Sequence, residues 1–178
     1  MNKLVRLLVL SLAATGSAQA AVQETRDGYF AIQSVILVDV PPAAAYRALI
    51  KPALWWDPAH TWSGSSKNLS LQARAGGCFC EKLKDGGSVQ HARVLFAQPG
   101  QLLRLEGGLG PLQDMAVVGV LSYTLAPDGP GTRITMSYRV DGALSMDAAK
   151  LAPLVDQVMG GQFDRLRKYA NSLAKDSR

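Results

Sequence analysis

Glu81 is the side chain whose predicted surroundings most favour chemistry. Residues 78–84 have the pattern of a β-strand, and strand alternation places Phe79 and Glu81 together on the face expected to be apolar. A carboxylate among apolar neighbours has a raised pKa unless a cation pairs with it. Two interpretations follow. Glu81 orients a ligand or acts as a general acid or base, or it forms a structural salt bridge to Arg93 or Arg104.

Cys78 and Cys80 lie two residues apart on the opposite face of the same predicted strand. Side chains at that spacing are expected to sit too far apart for unstrained disulfide geometry. Three interpretations remain open. The pair forms a strained, reducible disulfide or redox couple, it captures a metal together with His91, or it consists of two inert, small apolar side chains.

Three tryptophans, Trp55, Trp56 and Trp62, cluster along a short stretch of the chain, with His60 between them. Large rigid aromatic side chains can form a gate over an apolar ligand. The same residues can equally plug one end of a protein core without any ligand. Both interpretations place the cluster at one end of a cavity between the predicted sheet and the predicted long helix.

The glycine-rich segment 107–111 resembles a phosphate-binding loop only superficially. It lacks the G-K-[ST] ending and the following helix that such a loop requires. A loop at the entrance of a pocket is the better interpretation. The sequence also contains neither a G-x-S-x-G elbow nor an H-E-x-x-H pair. We therefore assign no catalytic set, no metal site and no cofactor.

Closely spaced strand patterns joined by short turns predict an antiparallel sheet of about six to seven strands. Two short helical segments follow the first strand, and the polar residues before it are expected to be loose. The predicted strands are 29–40, 69–73, 78–84, 88–97, 101–106, 117–125 and 132–140, and the predicted short helices are 43–50 and the piece carrying residues 54–56.

The apolar period changes from two to 3.6 residues after the last strand, which predicts one long helix over 147–173. Val155 and Met159 belong to its apolar stripe. The helix must bury that stripe against the sheet, and a twisted sheet can curl around it. A curled sheet and one helix seldom fill all the space between them. An apolar pocket is therefore expected, with the short helices and the loops at its mouth.

Four short motifs resemble the START-like helix-grip fold of the SRPBCC superfamily. They are V-P-P-x-x-x-Y-x-A over 40–48, A-L-W-W-D over 53–57, A-G-G-C-F-C-E over 75–81, and the strand pair within 94–105. This superfamily includes polyketide cyclases and proteins similar to the activator of the heat-shock-protein-90 ATPase. The Cys-Phe-Cys-Glu variant resembles an exported subgroup. The resemblance implies an α+β fold with a cavity and does not imply a reaction.

Residues 1–20 have the three-part layout of a cleaved secretory signal, with an apolar run over 4–14 and an A-x-A site ending at Ala20. The run is too short to span a bilayer, which needs roughly 20 apolar residues. Cleavage leaves 21–178 as a single domain with 17 basic and 14 acidic residues, a net charge of 17 − 14 = +3. Scattered basic residues without a nucleic-acid motif argue against binding nucleic acid.

The sequence thus predicts a periplasmic or secreted protein without a stable membrane anchor that binds a hydrophobic, lipid-like small molecule. The alternative is a cyclase-, aromatase- or hydrolase-like enzyme that uses Glu81, His91 or Arg104 in the same cavity. A chaperone-activator role is disfavoured because that chaperone is cytosolic. The oligomeric state and the ligand are not predicted. The predicted ligand-binding residues are Trp55, Trp56, Trp62, Phe79, Glu81, Arg104, Val155 and Met159, and the candidate redox pair is Cys78 and Cys80.

Overall fold

The computed structural model describes residues 21–175, in which eight strands form one antiparallel sheet. The order across the sheet is β1-β2-β8-β7-β6-β5-β4-β3. Only the β2–β8 pairing joins strands far apart along the chain, because the other neighbours are consecutive. The strands are β1 Ala21–Arg26, β2 Tyr29–Val38, β3 Leu69–Leu71, β4 Cys78–Lys82, β5 Ser88–Gln98, β6 Leu102–Glu106, β7 Ala116–Asp128 and β8 Gly131–Ala143.

Two α-helices and several single 3-10 turns complete the described chain, and together they confirm the predicted helix-grip architecture. Helix α1 spans Pro42–Leu49 and helix α2 spans Ala148–Lys175. Asp147 caps α2, because its Oδ1 accepts a hydrogen bond from Ala149 N at 2.8 Å. The 3-10 turns are Pro52–Leu54, Pro58–His60, Ser66–Asn68, Lys84–Gly86 and Gly110–Asp114. Within the described residues, neither helix is long and apolar enough to cross a membrane.

Strand β1 was not predicted, since the residues before Gly28 were expected to be loose. The strand pairs with β2 at the edge of the sheet, and its side chains are almost all exposed. An exposed edge strand carries no alternation of apolar and polar residues, so its pattern gives no signal. The dipeptide Asp27-Gly28, with Gly28 at φ +68°, was the available clue, because Asp-Gly favours tight hairpin turns.

Helix α2 lies against the inner face of the sheet, chiefly on β2, and this contact forms the core. Each large side chain buried there contributes roughly 1.5–3 kcal/mol by leaving water. Buried side chains fill the space deep between α2 and the sheet, and a residual void of about 20 Å³ lies between the 49–56 segment and strands β3 to β7. The largest fully buried side chains, apart from Glu81 and Gln162, are Phe30, Ile32, Leu49, Leu103, Leu105, Ile134, Met136, Tyr138, Phe163 and Leu166.

Candidate ligand-binding cavity

A cavity of about 430 Å³ opens between the first half of α2 and two loops. This volume lies within the range of roughly 300–1,000 Å³ that is usual for small-molecule sites. Its lining is mainly apolar. The residues that line it are Trp56, Ala59, His60, Thr61, Trp62, His91, Leu109, Gly110, Pro111, Leu112, Met115, Leu151, Leu154, Val155, Val158 and Met159. The cavity therefore lies at the mouth of the sheet, whereas the deep interior is filled.

Gln162 fixes the first loop, residues 56–62, to helix α2. Its side chain is buried, its Oε1 accepts a hydrogen bond from Asp57 N at 2.8 Å, and its Nε2 donates to Nδ1 of His60 at 3.1 Å. A buried amide satisfied in this way holds the loop in one position. Gln162 was not singled out from the sequence, although a polar residue within the apolar stripe of α2 was a usable signal.

Glu81 fixes the other end of the same loop. Its carboxylate accepts hydrogen bonds from Trp62 N at 3.1 Å, from Ser63 N at 2.6 Å and from His91 Nε2 at 2.9 Å. Burial alone would raise the pKa of Glu81, but these hydrogen bonds outweigh burial and hold the pKa below its ordinary value. Glu81 is therefore ionised and paired. The predicted salt bridge to Arg93 or Arg104 is wrong, because the partner is His91.

His91 owes its position to a β-bulge. The β4–β5 register runs from Phe79↔Ala92 to Cys80↔Gln90, so His91 is the extra residue on β5. A bulge redirects the side chain of the extra residue. The imidazole turns inward and packs against the Phe79 ring, with centroids 5.1 Å apart and ring planes tilted by 40°.

Tyr138 holds the second loop, residues 107–112. Its hydroxyl donates to Gly107 O at 2.8 Å and accepts from Leu109 N at 3.1 Å. Burial raises the pKa of Tyr138 to about 12, so the hydroxyl keeps its proton and remains a donor. A side chain at Gly107 would collide with the carbonyl oxygen of His91, which explains the glycine at this point. The glycine-rich loop thus forms one wall of the cavity.

A sequence profile of the family described as "Polyketide cyclase / dehydrase and lipid transport" matches residues 29–171. The chain belongs to this family. The match covers every element around the cavity, from β2 to α2, and it confirms the superfamily resemblance. Among curated proteins, none matches the chain.

Solved structures share the fold of this family member at low identity. Protein MLL2253 from Mesorhizobium loti is 20% identical with a TM-score of 0.56, covering 78% of this chain and 95% of that one. An uncharacterised protein from Rhizobium leguminosarum is 17% identical with a TM-score of 0.60, covering 85% and 97%. The two-domain aromatase/cyclase StfQ of the steffimycin biosynthetic pathway is 15% identical with a TM-score of 0.56, covering 85% and 53%. These similarities show the fold alone.

Four of the eight predicted ligand-binding residues line the cavity of this family member. Trp56 and Trp62 contribute from the first loop, and Val155 and Met159 contribute from α2. Trp62 is 55% exposed at the rim, whereas Trp56 is buried. The two interpretations of the tryptophan cluster therefore each fit one residue. Trp56 closes the inner end of the cavity, and Trp62 stands at its opening.

The remaining predicted residues lie behind the lining or outside it. Trp55 and Phe79 border the small interior void, and Glu81 lies behind His91. The structure does not bring Arg104 to the cavity. Its exposed guanidinium lies on the outer face of β6 and donates to Ser122 Oγ at 3.1 Å. Of the three proposed proton-handling groups, only Glu81 and His91 converge.

Cys78 and Cys80 form a disulfide on the face of β4 opposite Phe79. Their Cα atoms are 5.4 Å apart, within the usual span of roughly 4.4–6.8 Å, so the expectation that they sit too far apart is wrong. The two sulfurs are bonded to each other and His91 is hydrogen-bonded to Glu81, so these three side chains do not form the metal site considered above. The described residues contain no group of three potential metal-ligating side chains. A redox role of this disulfide remains a prediction.

Proposed function

We propose that this protein binds a hydrophobic small molecule in the cavity between α2 and the two loops. The observation that carries the proposal is the cavity itself, which is of ligand size, open to solvent and lined mainly by apolar side chains. Trp62 and Leu154 are each 55% exposed at its rim, where a ligand would cover them. The family description, which includes lipid transport, supports the same class of ligand.

The proposal predicts saturable binding of an apolar fluorescent probe. N-phenyl-1-naphthylamine is uncharged near neutral pH and brightens when it leaves water. Titrating it into the protein should give a one-site curve with a dissociation constant in the micromolar range. The probe should also quench tryptophan emission, because Trp56 and Trp62 line the cavity. A fluorescence change that rises linearly without saturation would count against a defined site.

Export is the second part of the proposal. The signal-like residues 1–20 lie outside the described residues, and cleavage after Ala20 would keep all eight strands given above. An oxidising compartment also suits the Cys78–Cys80 disulfide.

Intact mass spectrometry of protein from the periplasmic fraction tests export. We expect a chain that starts at Ala21 and is two hydrogen atoms lighter than its dithiol form, and mild reduction should restore both hydrogens. A full-length chain found in the cytosolic fraction would contradict export, and two free thiols before reduction would contradict the disulfide.

A cyclase-type enzyme is the second candidate, favoured by the pairing of His91 with Glu81 at the cavity. An imidazole positioned by a carboxylate can take a proton from a carbon next to a carbonyl group, leaving the electron pair as an enolate. The protein should then accelerate deuterium exchange at the α-carbons of 2-tetralone, followed by NMR, and His91→Phe should abolish the acceleration. Equal exchange rates with and without protein would exclude this activity towards the ketone.

A further inference from the structure

His91 is a buried polar group at a mainly apolar cavity. Its side chain is 8% exposed, packs against Phe79 and is among the residues that line the cavity. Four other lining residues carry hydrogen-bonding side chains, namely Trp56, His60, Thr61 and Trp62. The Trp56 Nε1–H donates to His60 O at 3.0 Å, and Trp62 is exposed at the rim. His60 Nδ1 is bonded to Gln162, and the Thr61 hydroxyl donates to a backbone carbonyl at 2.7 Å. His91 is thus the buried polar side chain available to a ligand.

The contacts of Glu81 settle which nitrogen of His91 carries the proton. The carboxylate already accepts hydrogen bonds from two backbone N–H groups, which can only donate. Its remaining contact, at 2.9 Å, is with His91 Nε2. An ionised carboxylate only accepts, so Nε2 must be the donor. In the neutral imidazole, Nδ1 is then an acceptor with a free lone pair.

Nδ1 is free to receive a ligand donor. Across residues 21–175, Glu81 is the side-chain hydrogen-bond partner of His91, and Nδ1 is not among the polar atoms sealed from solvent. No Lys or Arg side chain lines the cavity, so the described lining offers no permanent cation for an anionic ligand. The charge of Glu81 immediately behind His91 adds repulsion against a carboxylate.

We propose that His91 Nδ1 is the recognition point of this cavity and that its ligand is a neutral hydrophobic molecule carrying a hydroxyl group, such as a phenol or an alcohol. The hydroxyl donates to Nδ1 while the apolar body lies against Trp62, Val155 and Met159. This inference rests on the proposed function, because it names the chemistry of the molecule that the cavity binds.

Matched probes separate the inference from the proposed function. Naphthalene, 1-naphthol and 1-naphthoate share one ring system, and each can compete with N-phenyl-1-naphthylamine. We expect 1-naphthol to bind about tenfold more tightly than naphthalene, the value of one buried hydrogen bond. His91→Phe keeps an aromatic ring against Phe79 and should abolish the preference for 1-naphthol over naphthalene.

A measurement on the unmodified protein covers the case in which His91→Phe does not fold. The chain has two histidines, so the ¹⁵N signals of His91 can be assigned with a His60→Gln variant. The Nδ1 signal should shift on addition of 1-naphthol and not on addition of naphthalene. Equal affinity for these two probes, or tighter binding of 1-naphthoate, would overturn the hydroxyl inference. Failure of all three to bind would instead overturn the proposed function.

Discussion

Glu81→Ala is expected to lower the free energy of unfolding by about 3 kcal/mol and to weaken probe binding. The substitution leaves three donors without an acceptor, namely the backbone N–H groups of Trp62 and Ser63 and the Nε2–H of His91. Each unsatisfied buried donor costs roughly 1–3 kcal/mol, reduced where water can enter. The loop that carries Trp62 then loses its hydrogen bonds to Glu81 on β4, so one wall of the cavity becomes less ordered.

Urea unfolding at several pH values measures this effect and its pH dependence. The pKa of Glu81 lies below its ordinary value in the folded protein, so the carboxylate contributes its full stability above the unfolded pKa. That contribution is lost as the pH falls through the folded pKa. The stability difference between the wild type and Glu81→Gln should therefore shrink in acid.

Glu106→Ala is the matched control for this experiment, because Glu106 is an exposed carboxylate on the neighbouring part of the sheet. It should change the free energy of unfolding by no more than about 0.5 kcal/mol. If Glu81→Ala proves as mild as this control, Glu81 is not the residue that holds the first loop.

Val155→Trp is expected to abolish binding of N-phenyl-1-naphthylamine while leaving the fold intact. Val155 lines the cavity from α2 and is only partly buried, so a larger side chain there can occupy the cavity without displacing the filled core. An indole ring at this position takes up part of the cavity of about 430 Å³ and competes for its apolar walls with the naphthyl and phenyl groups of the probe. The probe titration of wild type and variant measures the loss.

Gln157→Trp serves as the control for Val155→Trp. Gln157 lies two residues further along α2 and is exposed, so the same aromatic side chain is added outside the cavity. This variant should bind the probe as the wild type does. Undiminished binding by Val155→Trp, at unchanged thermal stability, would place the probe elsewhere on the protein.

The sheet and the long helix could be predicted because their apolar periods are local properties of the chain. The alternation in β7 and β8 and the stripe on α2 are visible without knowledge of their partners. Strand β1 could not be predicted in this way, because this exposed edge strand is defined by its backbone hydrogen bonds to β2. Those backbone hydrogen bonds do not require any alternation of apolar and polar side chains.

The site was less predictable because it depends on register. The pairing of Glu81 with His91 follows from a bulge on β5, and no spacing rule reveals a bulge of this kind. The outward orientation of Arg104, however, could have been predicted from the sequence. Leu103 and Leu105 are buried on either side of it, so alternation alone turns Arg104 outward.

The position of the cavity depends on how side-chain volumes fill the interior, and the pattern of apolar and polar residues does not give that. Sequence patterning indicated a hollow between α2 and the sheet, but it did not show that Tyr123 and Phe163 pack together in its deep part, with ring centroids 6.0 Å apart. Close packing of interiors makes this filling the ordinary outcome. The remaining space lies where loops, not large core side chains, face the first half of α2.

Native mass spectrometry of the protein purified from its own compartment tests most directly whether the cavity holds a hydrophobic molecule. We predict a bound small-molecule mass on the wild type that N-phenyl-1-naphthylamine displaces and that Val155→Trp lacks. A spectrum with only the polypeptide mass, unchanged after incubation with the probe, would contradict the account.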